Sequence, residues 1–479
     1  MPKLSVANAP TVVTDTLPSE YFIRGRYENF MGISICRRYS AMVRQVFIGP
    51  LIHTDDNEKL IIKEKVAVFL QDGKITRVSE NYTSNPPNTD DSSEISPSEE
   101  VTVLSPGQFM MPGFIDGHTH AVQLPNLGLG YSKCLLDWLE TYTFPLEREY
   151  INAKFAEQVF EAVVKRTIGT GTTTACYFAS LYAEASTILA EKAAKLGQRA
   201  FIGKVNMNTP RDDGYYESTE KSIKDTVAFI KSIEQIGNPL VRPIITPRFA
   251  LSCNMELMQE LAKIAKKKDL HIQTHVSENK AEVAAVIETF PHQPSYTAVY
   301  DAAGLLTNKT VLAHGVHLTD NELAILSERG SAVIHCPSSN LHLKSGLCDV
   351  QRLKANNVKV GLGTDVSGGA SYSMLDEMRS VLGVSNCLSF MRDNYTPLSY
   401  KDVFHMATLG CAKALSIEDK VGNLMPGKEF DALIVDLNAE GSLLDNLREY
   451  TLEENLQRFI YAGDERNIIA VYVNGRKVK

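Results

Sequence analysis

The strongest constraint on how this 479-residue chain can fold is an alternation repeated through its middle. Eight short apolar runs occupy residues 114–120, 172–177, 199–205, 241–247, 270–276, 310–314, 331–337 and 358–365. Helical periodicity fills the gaps between them. Met255, Met258, Leu261, Ala262 and Ala265 recur at spacings of three and four, as do Leu323, Leu326 and Arg329 with Ile325 beside them. Strands alternating with helices imply parallel βαβ units. Eight such units within about 310 residues fit a (β/α)8 TIM-like barrel, an α/β architecture.

Both chain ends read as β structure. Val46-Phe47-Ile48, Leu51-Ile52 and residues 66–70 lead to Asp72-Gly73 and then Ile75-Thr76-Arg77-Val78, a strong hairpin signal. Residues 80–100 are Ser, Asn, Pro, Asp and Glu almost throughout and read as a flexible, solvated insertion. At the far end GNLMPGKEFDALIVD (422–436) is a turn followed by a strand, and IIAVYVNGRKV (468–478) is a strand, an Asn-Gly turn and a strand. The expected organisation is an irregular extension over 1–42 and the first part of a small β-sandwich over 43–110. The barrel follows over 111–420, and 421–479 carries the rest of the sandwich with a helix.

Composition narrows the function classes. Forty-nine basic against 57 acidic residues give a net charge of −8, which argues against a nucleic-acid coat or a membrane-surface protein. No run of about 20 apolar residues is present to span a membrane. The eight cysteines form no C-x-x-C pair, so reduced thiols in a cytoplasmic protein are expected. The first 19 residues lack the apolar core of a secretory signal.

In such a barrel the chemistry sits at the C-terminal ends of the strands. The first strand ends in His118-Thr119-His120, the fifth in His275 with Glu278 three residues on, the sixth in His314 and the eighth in Asp365. Residues i and i+2 of a strand share a face, so His118 and His120 can offer two imidazoles to one ion. A third imidazole and a carboxylate from distant strands complete an N3O set suited to zinc. A metal so bound lowers the pKa of its water towards about 7. Glu278 is placed to shuttle protons. His314 is either a further contact to the metal or the group that orients the hydroxide. Other readings exist for each residue alone: an H-x-H pair can be one exposed strand face, and Asp365 could be a helix N-cap. His53, His292 and His405 match no such position. His271, His317, His335 and His342 read as packing or surface residues, although His335 ends the seventh strand and could approach the site. Lys204 at the end of the third strand reads as structural.

PGFIDGHTH (112–120), HVSE (275–278), LAHG (312–315) and GLGTD (361–365) resemble the amidohydrolase superfamily. Gln123, LLDWLETYTFP (135–145), GTTTACYFA (171–179), GQRAFIGKV (197–205), TPRFALSC (246–253), HCPSSN (335–340) and GTDVSGG (363–369) narrow the resemblance to its guanine deaminase family. The resemblance spans about 112 to 436. It implies one zinc ion per subunit held by His118, His120, His275 and Asp365, with Glu278 as proton shuttle and His314 hydrogen-bonded to the metal-bound water. It also implies that Gln123, Arg248 and Phe249 hold guanine, with Trp138 in the pocket wall and His120, His275, Glu278 and Asp365 also facing the substrate. Hydrolytic deamination to xanthine and ammonia by a mononuclear zinc-hydroxide mechanism follows as the implied reaction, in a homodimer. An Arg donor suits the C6 carbonyl, a Gln amide can donate and accept, and Phe249 offers a flat apolar face.

Two other functions fit the same barrel. One is a mononuclear aminohydrolase or chlorohydrolase acting on another heterocycle, which only the pocket residues would distinguish. The other is a metal-free scaffold, which the complete set of His118, His120, His275, Glu278, His314 and Asp365 opposes. A binuclear site would want a bridging Lys at the end of the fourth strand, where Thr246-Pro247-Arg248 stands instead.

Overall fold

The computed structural model describes residues 44–82 and 99–479. The expectations for 1–42 and for residues 83–98 of the insertion lie outside the described residues. The first strands are β1 (Arg44–Thr54), β2 (Leu60–Gln71), β3 (Lys74–Glu80), β4 (Glu100–Val103) and β5 (Gln108–Pro112). Strands β2 and β3 pair from Gln71 opposite Lys74, so Asp72 and Gly73 alone make the turn. Both have positive φ, 51° and 81°, as a two-residue hairpin of this hand requires.

The barrel strands are β6 (Phe114–His120), β7 (Thr172–Phe178), β8 (Arg199–Gly203) with its continuation β9 (Val205–Asn206), and β10 (Val241–Pro247). After them come β11 (His271–Val276), β12 (Thr310–His314), β13 (Ala332–His335) and β14 (Lys359–Leu362). They pair in parallel in chain order. Helices cover the sheet, so every residue of β6 and β7 is buried, as expected of a parallel sheet covered on both faces. The circle closes just beyond β14, where Asp365 N–H donates to His118 O at 2.9 Å and His120 N–H to Val366 O at 3.2 Å.

The helices obey local rules. Thr219–Ile236 starts at Ser218, whose side chain accepts from Lys221 N–H, and ends at Gly237 with φ 65°. It buries Ser222, Thr226, Phe229, Ile230 and Ile233, one stripe at helical spacing. Asp320–Arg329 begins with a reciprocal Thr319–Glu322 capping box and ends at Gly330 with φ 68°.

The last strands are β15 (Ala432–Asp436), β16 (Ile468–Val473) and β17 (Arg476–Lys477). They join the first five in one sheet of order β17-β16-β15-β5-β1-β2-β3, with β4 also on β1. Two strands separate β16 from β1, so a flat sheet would hold them roughly 14 Å apart. Yet Phe47 of β1 and Tyr472 of β16 have ring centroids 5.0 Å apart, and Phe430 stacks on Phe47 at 4.6 Å. The sheet therefore curls on itself into a sandwich-like layer with an aromatic interior. Arg199, at the start of β8, ties this layer to the barrel. Its Nε donates to Asp431 Oδ2 at 2.9 Å, and its Nη2 donates to Asp431 Oδ1 at 3.0 Å and Glu429 Oε2 at 2.7 Å.

Candidate metal centre and its pocket

The mouth of the barrel collects side chains from four strand ends. His118 and His120 lie on β6 and point to one face. His275 lies on β11, His314 ends β12, and Asp365 follows β14. The eighth run was expected to remain a strand as far as Asp365, but β14 stops at Leu362. The reason is Gly363, where a Cβ would come within 2.9 Å of the His118 backbone, so the chain passes close against β6 and turns. Asp365 then adopts φ 46° and His314 φ 75°. Such left-handed backbone costs of order 1–3 kcal/mol per residue and persists where surrounding contacts impose it.

Four ligand atoms, one each from His118, His120, His275 and Asp365, lie within 4.8 Å of one another, and all four residues are buried. His120 Nε2 faces His275 Nε2 at 3.1 Å. Asp365 Oδ1 is 3.2 Å from His118 Nε2 and 3.4 Å from His120 Nε2. His275 Nδ1 sits 2.5 Å from the carbonyl of Arg248, so it carries the proton and leaves Nε2 as a lone pair. Burial holds the His118, His120 and His275 imidazoles below their ordinary range and hence neutral. Burial pushes Asp365 upward, but the hydrogen bond with His118 and the other ring nitrogens turned towards it outweigh this and hold the carboxyl below the ordinary carboxylate range. Neutral imidazoles with facing lone pairs and an ionised carboxylate are the donor set a divalent cation needs. With its proton on Nδ1, His275 brings an Nε2 lone pair to the cluster, opposite His120 Nε2. The residues present thus fit one metal ion.

Beside the cluster, His314 Nε2 lies 3.3 Å from Glu278 Oε2 and 3.9 Å from Asp365 Oδ2. Asn340 Oδ1 meets His314 Nδ1 at 3.0 Å and so fixes the ring. Burial, then the charge of Asp365, pushes the Glu278 carboxyl up to about 8, although Ser345 Oγ donates to it at 2.9 Å. Phe178 packs its ring 4.9, 4.6 and 4.8 Å from those of His118, His120 and His275.

One cavity is lined by His120, Gln123, Trp138, Arg248, Phe249, His275, Glu278, His314 and Asp365, and His118 joins three of these in the ligand cluster. Every site residue anticipated from the sequence is therefore brought together. Trp138 donates its indole N–H to Leu129 O at 3.0 Å and so contributes only its apolar face. The other histidines lie elsewhere: His53 accepts from Leu424 N–H, His405 meets Thr54 Oγ1, and His271 bonds Leu415 O. His335 is buried against Asn340 Nδ2 at 3.4 Å. Lys204 is buried in an ion pair with Glu217, away from the cavity. Missed in the sequence were the supports. Asp116 takes N–H bonds from His118 and Thr364 and could have been read as the third residue of the 116–118–120 strand face. Asn340 is the last residue of the HCPSSN motif (335–340). Glu147, Glu282 and Ser345 carried no local signal.

The model of the Amidohydrolase family matches residues 109–478. The guanine deaminase of Mus musculus is 48% identical over 384 residues, covering 79% of this chain and 85% of that protein. The guanine deaminase of Dictyostelium discoideum is 42% identical over 441 residues, covering 91% and 98% respectively. A crystal structure of guanine deaminase from C. acetobutylicum with bound guanine in the active site superposes with a TM-score of 0.84 at 34% identity. That match covers 91% of this chain and all of the other.

Proposed function

The chain belongs to the amidohydrolase family, and from that premise we propose that it hydrolyses guanine to xanthine and ammonia. The observation that carries this reading is the meeting, in one buried cavity, of an N3O cluster, an acid–base carboxylate and the Arg248–Gln123–Phe249 group. Relatives named for this activity at 42–48% identity, over most of both chains, support it.

His118, His120, His275 and Asp365 would hold the metal, zinc on this proposal from the nitrogen-rich donor set. A divalent metal there supplies a water activated near neutral pH. The chain's own groups do the rest. Arg248 donates towards the C6 carbonyl, Gln123 holds a second edge of the purine, and Phe249 lies against the ring. Glu278 takes a proton from the water as its oxygen bonds to C2 and passes it to a ring nitrogen. It then carries the second proton to the amino group as the C2–N bond breaks, so one water is consumed and one ammonia released. Burial raises this carboxyl above the ordinary carboxylate range, the direction a group that must hold a proton between two transfers requires. His314, fixed by Asn340, orients the attacking oxygen.

The division of the chain at 43–110, 111–420 and 421–479, the homodimer and the cytoplasmic location belong to the same proposal. Seven described cysteines, all unpaired, suit a reducing compartment. No helix of the described residues is long and apolar enough to cross a membrane. The test is a spectrophotometric assay of xanthine formation from guanine, with ammonia and bound metal quantified in the same preparation. Turnover with one metal per chain is expected. A metal-loaded protein that leaves guanine untouched would sink the substrate assignment, and a chain that binds no metal would sink the reading as a whole.

A further inference from the structure

Behind the two polar residues of the pocket sits a buried carboxylate that neither metal binding nor proton transfer uses. Glu147, in the helix Phe144–Arg148, is 1% exposed. Its Oε2 accepts from Arg248 Nη1 at 2.6 Å and from Tyr215 OH at 3.2 Å, and its Oε1 accepts from Gln123 Nε2 at 3.1 Å. The other end of the Gln123 amide is also taken, because its Oε1 accepts from Ser367 N–H at 3.2 Å.

A primary amide owns two N–H donors and one carbonyl oxygen with two lone pairs. Here one N–H is held by Glu147 and one lone pair by Ser367 N–H, which fixes the orientation of the amide and leaves its second N–H free for a ligand. A guanidinium can only donate. Turning the Gln123 amide over would set its carbonyl against the Glu147 carboxylate and its NH2 against Ser367 N–H, which pairs acceptor with acceptor and donor with donor.

We infer that Glu147 is a specificity-determining positioning residue, which locks Gln123 and Arg248 with N–H donors free for the ligand, an edge that favours a ring with oxygen or nitrogen acceptors and disfavours an amino group. The inference rests on the guanine reading above, and it explains discrimination rather than turnover. Guanine and 2,6-diaminopurine carry the same C2 amine and differ at C6, where one has an oxygen and the other an NH2. A donor facing donors in a buried site leaves both sides unsatisfied.

The test is the ratio of kcat/KM for guanine over that for 2,6-diaminopurine, measured on the metal-loaded enzyme and on Glu147→Gln. The wild-type ratio is expected to be at least about 100-fold, in the range that sites built around hydrogen bonds achieve. In Glu147→Gln the pair loses its anchor, KM for guanine rises, and the ratio falls below about tenfold. A purely structural role would depress both substrates alike and leave the ratio unchanged, which would overturn the inference, as would a wild type that does not discriminate. Metal content and melting temperature show whether Glu147→Gln has folded. If it has not, Tyr215→Phe decides, since it removes one donor to Glu147 and leaves Arg248 and Gln123 intact. A fall of about threefold in its ratio is expected from the loss of one hydrogen bond, and no change refutes the inference. A wild type inert on guanine sinks the guanine reading itself, whereas an active wild type with an unmoved variant ratio sinks this inference alone.

Discussion

Phe178 ends β7 in the middle of the three imidazoles, fully buried, with centroid distances of 4.6 to 4.9 Å to each. Of the three rings, His275 is anchored through its second nitrogen, while His120 Nδ1 has no hydrogen-bond partner. The direction of His120 therefore depends on packing, and Phe178 is the surface it packs on. Replacing Phe178 with Leu should cost roughly 1–2 kcal/mol of stability, the scale of a core substitution that removes part of a ring and leaves a small cavity. Loosening the imidazoles should weaken metal binding by about 10–100-fold, as loss of support behind a ligand does. That corresponds to about 1.4–2.7 kcal/mol. Two measurements separate the effects. Thermal melting with excess chelator reports the packing loss alone. Competition against a chromogenic chelator reports the metal affinity, and the stabilisation gained on adding zinc should shrink in step. A Phe178→Leu protein that melts lower without metal yet binds zinc as tightly as wild type would refute the idea that this ring orients the ligands.

Other consequences are open to test. Arg199→Met leaves Asp431 and Glu429 without their counter-ion where the curled sheet meets the barrel, and about 3–5 kcal/mol of stability should be lost in denaturant unfolding. An undiminished midpoint would show that the ion pair is dispensable. Acid should destabilise the fold through His53 and His271, whose side chains burial pushes down to about 4. The folded state binds fewer protons than the unfolded chain there, so their contribution is whole above pH 6.5 and is lost as pH falls towards 4. The loss is about 3 kcal/mol for each group. A His271→Gln variant should flatten that limb of the pH–stability curve, and an unchanged slope would exclude His271 as its source. Asn340→Ala frees His314 Nδ1 and should lower kcat about tenfold or more with KM little changed, because a positioned group is lost from the reacting centre. A rise in KM alone would place Asn340 in substrate binding instead.

The barrel was legible because its strands are short apolar runs whose ends carry the only dense histidine and acid pattern in the chain. Asp-Gly at 72–73 announced its hairpin for the same kind of local reason. Asp365 shows where local reading stops. A strand was expected to reach it, yet Gly363 passes so close to His118 that the chain turns first, and that closeness is a property of barrel closure. The curling of the end-strand sheet likewise depends on Phe47, Phe430 and Tyr472 meeting across more than 380 residues. Glu147 is the clearest omission. It lies 24 residues from Gln123 and 101 from Arg248, and nothing around it marks it as more than a helix-surface acid. Chemistry-bearing residues at strand ends could be read one by one, while the residues that hold them appear only when distant segments are brought together.

The most direct test of the proposed chemistry is the rate of xanthine formation by Glu278→Gln, measured with metal content on the same sample. Gln keeps the size and the hydrogen bond from Ser345 but cannot carry protons. The expected result is one metal per chain, as in the wild type, with kcat reduced by about 10²–10⁴-fold. A metal-replete Glu278→Gln enzyme that turns guanine over at the wild-type rate would contradict the assignment of proton transfer to this carboxyl.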